Sequence, residues 1–155
     1  MKSAGGTITA YDGDRLMAIF VGETQAADSI TAVLKISRAV VDIINPQFGA
    51  LYETSHRPLE HTVGIDCGKL LAVKTVVRVD SDLVWVGSAA NYAAKLNSFD
   101  GLDGAYPIRA TERAIQRAGG LNFFTWIVDR NSIWDGSYKN LASGPHFRTN
   151  FNMVV

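Results

Sequence analysis

The chain has few cysteines and prolines, the residues that cross-link or stiffen a protein chain. It contains one cysteine, Cys67, so no internal disulfide can form, which suits a reducing compartment. Its four prolines are scattered, and no apolar run approaches the length that crosses a bilayer. Lysine and arginine together number 15, as do aspartate and glutamate. This balance argues against binding to nucleic acid or to an anionic membrane.

Sequence motifs that commonly identify a nucleotide or metal site are also missing. Neither a Gly-x-Gly-x-x-Gly fingerprint nor a Walker A sequence is present. The three histidines show no metal-ligand spacing. Residues 1–6 contain one lysine and no apolar stretch, so no signal peptide is expected. A cytoplasmic location and no membrane insertion are therefore predicted.

Composition and periodicity predict a single domain over residues 1–155 with a substantial core. The apolar fraction is 47%. Period-2 and period-3.6 patterns predict an α+β fold in which helices pack on antiparallel hairpins. Strands are predicted at 7–11, 16–21, 61–66, 70–77, 83–86, 108–110, 123–128 and, in an otherwise irregular tail, 133–134. The strands at 61–66 and 70–77 are predicted to pair as a hairpin around Cys67-Gly68-Lys69. Helices are predicted at 23–44, 91–97 and 111–117, with Pro46 ending the first and Thr111 capping the last.

The segment 80–96 carries the clearest chemical signal. A β-rich run meets Gly87 and further small residues, and a helical pattern then begins near Asn91. Such strand-to-helix turns commonly hold phosphate or a reacting ligand. Asn91 and Lys95 share one helical face, where an amide and a cation can stabilise charge on a phosphoryl group. The alternative interpretation is an ordinary solvated helix face.

A second signal lies at the predicted N-terminal hairpin. The tripeptide Asp12-Gly13-Asp14 separates two β-prone runs and is typical of a tight turn. Both aspartates are therefore explained as turn residues. The functional alternative is that a carboxylate at the tip holds a divalent cation, since magnesium usually takes one or two protein carboxylates and fills its shell with water and phosphate.

Three segments in this order resemble class III nucleotidyl cyclases. The hairpin segment YDGDRLMAIF is similar to the family's metal-binding hairpin, and VGIDCGKLLA to its central Gly-Ile-x-x-Gly segment. The segment VWVGSAANYAAKL resembles the family's Gly-x-x-x-Asn-x-Ala-x-Arg motif, with Lys95 in place of arginine. The three matches together are more specific than any one of them.

The resemblance implies an α/β sandwich with an antiparallel-rich sheet, and a cyclase reaction on a nucleoside triphosphate. It implies that Asp14 binds Mg²⁺ or Mn²⁺, that Asn91 orients the ribose, and that Lys95 neutralises transition-state charge. Family active sites are built from two subunits, so a homodimer with shared sites is expected. Asp14 would come from one subunit, and Asn91 with Lys95 from the other.

Departures from the purine-specific pattern resemble the bacterial pyrimidine cyclases of Pycsar antiphage systems. The residues before the hairpin aspartate contain Tyr11 and no lysine, and the base-selecting position before Asn91 is Val84. The resemblance implies CTP or UTP as substrate and a cyclic pyrimidine product read by a separate effector in antiphage defence. It places Arg78 and Asp82 with Tyr11 and Val84 at the nucleotide site. A purine cyclase is the alternative within the enzyme class.

One further departure concerns the N-terminal part of the family domain. The opening strand, its helices and the first metal aspartate have no counterpart before the hairpin. Three explanations compete: the start is misassigned or trimmed, another chain supplies the missing segment, or the fold is degenerate. The last alternative predicts a non-catalytic nucleotide-binding domain, or a structural dimerisation domain that binds no nucleotide.

Overall fold

The structure, a computed structural model, describes residues 4–52, 57–77, 80–99, 106–122, 132–151 and 153. The predicted strand 123–128 and Arg78 lie outside the described residues. The strands are β1 (Gly6–Asp12), β2 (Arg15–Phe20), β3 (Val63–Ile65), β4 (Leu71–Val77), β5 (Asp80–Val86), β6 (Ile108–Thr111), β7 (Asp135–Tyr138) and β8 (His146–Thr149). The α-helices are α1 (Gln25–Ala39), α2 (Asn45–Leu51), α3 (Ser88–Asn97) and α4 (Glu112–Arg117).

The described strands form two ribbons and one larger sheet. β1 pairs with β2, and β4 pairs with β5, both antiparallel. The larger sheet has the order β3-β6-β8-β7, in which only the β3–β6 pair is parallel. The predicted α+β class with antiparallel-rich pairing is therefore confirmed.

The predicted hairpin between residues 61–66 and 70–77 is wrong. β3 pairs with β6 through Val63↔Ile108, and β4 pairs with β5 through Leu71↔Val86. Two physical causes favour this arrangement. β5 follows β4 closely along the chain, so this ribbon closes with little loop entropy. β3 instead reaches a distant strand because Ile65 and Ile108 are both buried in the core.

Pro46 does not end the first helix as predicted. α1 passes into a π-helical segment, Val40–Ile44, and the chain continues as α2. The amide of Asn45 donates to the carbonyl of Val40, a wider turn than that of an α-helix. Pro46 follows as the second residue of α2.

The core is formed where α1 and α4 cover the larger sheet. α1 packs against α4, β2 and β3, and α4 packs against β6. The buried cluster consists of small and branched apolar side chains with two aromatic rings: Ala26, Ile30, Val33, Leu34, Ile65, Ile108, Ala110, Ala114, Ile115, Ala118, Trp134 and Phe147. Along the first helical region Ile30, Val33, Leu34 and Val40 are buried, whereas Val41 is exposed beyond the change to π-helix.

The C-terminal region is more regular than predicted. Residues 133–134 are not a strand; they lie just before β7, and β8 inserts between β7 and β6. The predicted cap of α4 is confirmed, because Thr111 accepts from the amide of Ala114 at 3.4 Å. None of the helices among the described residues is long and apolar enough to cross a membrane.

Candidate functional site

The β1–β2 hairpin presents its predicted site residues to solvent. Its strands pair as far as Asp12↔Arg15, and the turn passes through Gly13 at φ 59°. A side chain at Gly13 would be strained in this left-handed conformation, which explains the glycine. Asp12 and Asp14 are exposed, and Tyr11 is 74% exposed. A carboxylate and an aromatic ring are therefore accessible at one tip.

The start of α3 is fixed by a close approach of two chain segments. A Cβ atom on Gly87 would lie 2.5 Å from the carbonyl oxygen of Lys69. The helix begins at Ser88, earlier than the predicted Asn91. Asn91 and Lys95 are four positions apart on this helix and both are exposed, so they share a solvent-facing side as predicted.

The opposite side of α3 is seated tightly on the larger sheet. Ala89 and Leu96 are buried, and the helix packs against β3 and β6. A Cβ atom on Gly64 of β3 would lie 2.0 Å from the carbonyl oxygen of Ala93. Glycine at position 64 therefore permits the helix backbone to lie directly on the strand, which fixes the height of the exposed face.

A buried carboxylate lies directly after β3. The side chain of Asp66 has no exposed surface and accepts hydrogen bonds from four donors. These are the hydroxyl of Thr111 at 2.5 Å, the amide of Cys67 at 2.8 Å, and Nε and Nη2 of Arg113, with Nε at 2.6 Å. The hydrogen bond to Asp66 raises the pKa of Arg113 above its usual range. The carboxylate thus links β3, the cap of α4 and a guanidinium group.

Tyr92 connects this buried group to the predicted catalytic face. The guanidinium carbon of Arg113 lies 5.6 Å from the centroid of the Tyr92 ring. The ammonium nitrogen of Lys95 lies 5.4 Å from the same centroid. Both distances fall in the range of cation–π attraction.

A surface cavity of about 500 Å³ adjoins Lys95. It lies between the C-terminal half of α3 and the β7–β8 connection, and this volume is in the range of small-molecule sites. Its lining residues are Ala94, Lys95, Ser98, Phe99, Asn140, Leu141 and Ala142. Among the predicted site residues within the described ranges, Lys95 borders it.

The β4–β5 ribbon carries the predicted base-site residues. Val84 is paired opposite Val73 and is 43% exposed, and Asp82 is paired opposite Thr75. Partner residues in an antiparallel ribbon point to the same face. One face therefore exposes four large apolar side chains in two pairs: Leu71 with Val86 and Val73 with Val84.

The predicted site residues that the structure describes thus fall on three elements of the chain. Asn91 and Lys95 lie together on α3, Tyr11 and Asp14 on the β1–β2 hairpin, and Val84 with Asp82 on β5. The hairpin packs on α1 through β2, whereas α3 packs on β3 and β6. Within the described ranges, no group of three or more histidine, cysteine, aspartate or glutamate residues is arranged to hold a metal ion.

Sequence reasoning missed Asp66, Tyr92, Arg113 and Asn140. A charged residue at the end of a predicted core strand, as Asp66 is, was a usable signal, because such a group needs partners when buried. Arg113 in the first turn of a helix was a second signal, since a cation there opposes the helix dipole. Nothing local connects the two, because they lie 47 positions apart.

Comparison with known proteins supports the resemblance. The chain is 46% identical over 101 residues to a uridylate cyclase of Burkholderia cepacia, which covers 65% of this chain and 44% of that protein. It is 51% identical over 98 residues to a uridylate cyclase of Xanthomonas perforans, covering 63% and 42%. A uridylate cyclase of Rhodovulum sp. (strain MB263) is 32% identical over 120 residues, covering 76% and 49%. The matches span less than half of each relative.

Solved structures agree in fold. The crystal structure of a guanylyl cyclase superimposes with a TM-score of 0.70 at 17% identity, covering 95% of this chain and 70% of that one. That of the adenylyl cyclase CyaB from P. aeruginosa has a TM-score of 0.71 at 17% identity, covering 95% and 72%. No protein-family model matches the chain. The chain therefore shares the fold of these two cyclase structures, and its sequence is similar to those of uridylate cyclases.

Proposed function

We propose that the protein is a nucleotidyl cyclase that converts UTP into 3′,5′-cyclic UMP and pyrophosphate. The observation that carries this proposal is the sequence identity of 46% and 51% to two proteins named uridylate cyclase. The matched stretch is long enough to include segments predicted to act in catalysis. The sequence alone favoured a pyrimidine substrate without choosing between CTP and UTP, and these relatives favour UTP. Residues 1–155 would form one catalytic domain.

In the proposed reaction the ribose 3′-hydroxyl attacks the α-phosphorus in line, and pyrophosphate leaves. Asn91 would orient the ribose by hydrogen bonding, and Lys95 would neutralise charge that develops on the phosphoryl oxygens. Lysine is a compact point charge without the planar fork of arginine, so its position must be set by neighbouring groups. Both side chains are exposed on one face of α3, which leaves them accessible to a nucleotide.

The carboxylate of Asp14 suits a divalent cation that the substrate phosphates also coordinate. Asp14 would hold Mg²⁺ or Mn²⁺, and the ion would supply positive charge against the triphosphate. Oxygen donors suit these hard cations, and Asp14 is exposed at the tip. The remaining ligands would be water and phosphate oxygens, as is usual for magnesium.

The proposed active form is a homodimer with shared sites. The hairpin that carries Asp14 and the helix that carries Asn91 and Lys95 pack on different elements of the fold. This separation is compatible with a site that one subunit begins and its partner completes. The exposed apolar face of the β4–β5 ribbon is also compatible with a contact between subunits.

Base selection is assigned to Tyr11, Arg78, Asp82 and Val84. The ring of Tyr11 offers a stacking surface and a hydroxyl group, and it would occupy space that a purine needs. Asp82 would accept a hydrogen bond from the base, while Val84 provides an apolar wall. Arg78 would contact the base or the triphosphate. A purine cyclase is the alternative, since the solved structures with this fold are named guanylyl and adenylyl cyclases.

A non-catalytic nucleotide-binding domain is the second candidate function. Metal-dependent nucleotide binding without release of pyrophosphate would support this candidate. Failure to bind any nucleoside triphosphate would instead support a structural dimerisation domain.

The biological role that we propose is antiphage signalling in the cytoplasm, where a separate effector protein would read the cyclic nucleotide. Support comes from the resemblance of YDGDRLMAIF and VWVGSAANYAAKL to the pyrimidine cyclases of antiphage systems. A single cysteine is in keeping with a reducing compartment.

The deciding experiment incubates purified protein with Mn²⁺ or Mg²⁺ and each of ATP, GTP, CTP and UTP. Mass spectrometry then identifies the products. Cyclic UMP from UTP, with little product from the purine nucleotides, is the expected result. Cyclic AMP or cyclic GMP as main product would establish the purine alternative. Absence of every cyclic product, together with measurable nucleotide binding, would establish the non-catalytic candidate.

A further inference from the structure

The Asp66 carboxylate is held in place by several hydrogen bonds. Four donor groups on three residues converge on it, and its side chain has no exposed surface. Thr111 has two functions here, because its hydroxyl donates to Asp66 at 2.5 Å and also accepts from the capped amide of Ala114. The position of the carboxylate therefore depends on β3, β6 and α4 together.

Arg113 is held in a defined orientation by this carboxylate. Nε and Nη2 donate to the two different oxygens of Asp66, which is a bidentate contact. Such contacts fix the plane of the guanidinium group as well as its position. The Arg113 side chain is 41% exposed, so without Asp66 it would sample many conformations. The guanidinium group is thus a fixed cation at the surface beside α3.

The ring of Tyr92 lies within reach of this cation and of Lys95. The two distances to the ring centroid, 5.6 Å from Arg113 and 5.4 Å from Lys95, are nearly equal. Tyr92 is half-buried and belongs to the same helix as Lys95, three positions before it. A lysine side chain has four rotatable bonds, and contact with a fixed ring removes many of its conformations.

We propose that Tyr92 is a positioning residue for the cyclase reaction. Its ring, held in place by the Asp66–Arg113 pair, keeps the ammonium group of Lys95 at the position where it meets the phosphoryl group. This inference rests on the proposed function, in which Lys95 acts on the transition state. Asp66, Arg113 and Tyr92 thus support the flexible side chain of Lys95. A site that depends on a lysine needs such support to hold the ammonium group in place.

The first test measures the position of Lys95 without using activity. In protein labelled with ¹³C-lysine, the Cε–Hε signal of Lys95 is assigned with a Lys95→Arg variant. We expect this signal to be displaced by the Tyr92 ring current in the wild type and in Tyr92→Phe. It should move towards the signals of exposed lysines in Tyr92→Leu and in Asp66→Asn, with Arg113→Lys as a substitute if Asp66→Asn does not fold.

The second test measures kinetics with UTP. Tyr92→Leu is expected to lower kcat about 5-fold, the scale of one cation–π contact, while KM changes less than about 2-fold. Tyr92→Phe keeps the ring and is expected to keep kcat. In a Lys95→Gln background, Tyr92→Leu should cause no further loss, because the residue that it positions is gone. A purely structural role would lower activity equally in both backgrounds.

Two results would overturn the proposal. One is a Lys95 signal that coincides with exposed lysines in the wild type, or that does not move in Tyr92→Leu. The other is an equal loss of kcat from Tyr92→Leu with and without Lys95. If the wild type forms no cyclic product, the proposed function has failed, and the Lys95 signal still decides whether Tyr92 positions the ammonium group.

Discussion

α3 and the β1–β2 hairpin carry the two halves of the predicted site, and the fold holds them in different ways. α3 lies directly on β3 at Gly64, and buried hydrogen bonds around Asp66 support the Tyr92 ring that faces its lysine. Both α3 and the hairpin tip expose their site residues, but Tyr11 and Asp14 lie at the turn of the β1–β2 pair. The half on α3 therefore has support within its own chain, whereas the hairpin half is placed to meet a ligand or a second copy.

Rigidity matters most for a group that acts on the transition state. A group that stabilises a transition state must be in place before the reaction, since reorganising it would cost free energy. A metal-binding tip is organised by the ion and the phosphates that it binds, so it needs little support from its own chain.

The largest effect is expected from removing the amide on α3. Asn91→Ala should lower kcat about 100-fold to 1,000-fold, the loss measured when one preorganised donor is removed elsewhere. The free energy of unfolding should hardly change, because the Asn91 side chain is exposed. Steady-state kinetics with UTP and urea unfolding measure the two quantities. Gln47→Ala removes an exposed amide on α2 and should change neither. A small loss of kcat in Asn91→Ala would place the reaction elsewhere.

A smaller effect is expected from lifting α3 off its strand. Gly64→Ala places a methyl group 2.0 Å from the Ala93 carbonyl oxygen, so the helix must shift. The expected loss is about 1–3 kcal/mol in the free energy of unfolding, the usual cost of overpacking. Gly68→Ala is the matched control, because its Cβ atom would meet Ala89 at an ordinary 3.4 Å. Urea unfolding of both variants is the measurement, and equal losses would contradict the close seating of α3.

The smallest expected effect is on the pH dependence of stability, and it concerns His146, which stacks on Phe99 just after α3. His146 of β8 lies 5.5 Å from the Phe99 ring at an interplanar angle of 11°. Burial, and secondly the positive charge of Arg109, lower the pKa of His146 below its usual 6.5. The unfolded chain therefore binds more protons between the two pKa values, and stability falls as the pH drops below about 6.5.

His146→Phe removes this titration and keeps a ring in the stack. The drop in urea midpoint between about pH 7.5 and about pH 5.5 should be smaller in this variant than in the wild type. Some dependence should remain, since burial also lowers the pKa of His61. An unchanged drop in His146→Phe would show that His146 does not carry a proton-linked share of the stability of this region.

Local structure was largely readable from the sequence, and long-range pairing was not. The Asp12-Gly13-Asp14 turn and the Thr111 cap depend on residues a few positions apart, and both are present. The parallel pairing of β3 with β6 joins segments more than 40 positions apart, and no local pattern selects it over the adjacent β4. Pro46 misled because a π-helical segment before it makes room that an α-helix lacks.

The candidate site divides in the same way. Asn91 and Lys95 share a helix face because helical geometry requires it, so their proximity could be predicted. The support beneath Lys95 could not, since Asp66, Tyr92 and Arg113 come together only after β3, α3 and α4 have packed. The roles of Tyr11, Asp14, Arg78, Asp82 and Val84 stay predictions, because they rest on the resemblance.

A complementation measurement tests most directly whether two copies of the chain share each active site. Asp14→Asn and Asn91→Ala proteins are each expected to be nearly inactive on UTP. In an equal mixture half of the dimers combine the two variants, and each of these has one intact site. The mixture should therefore recover about a quarter of the wild-type activity. No recovery, in a mixture where mass spectrometry shows that mixed dimers form, would contradict the shared site.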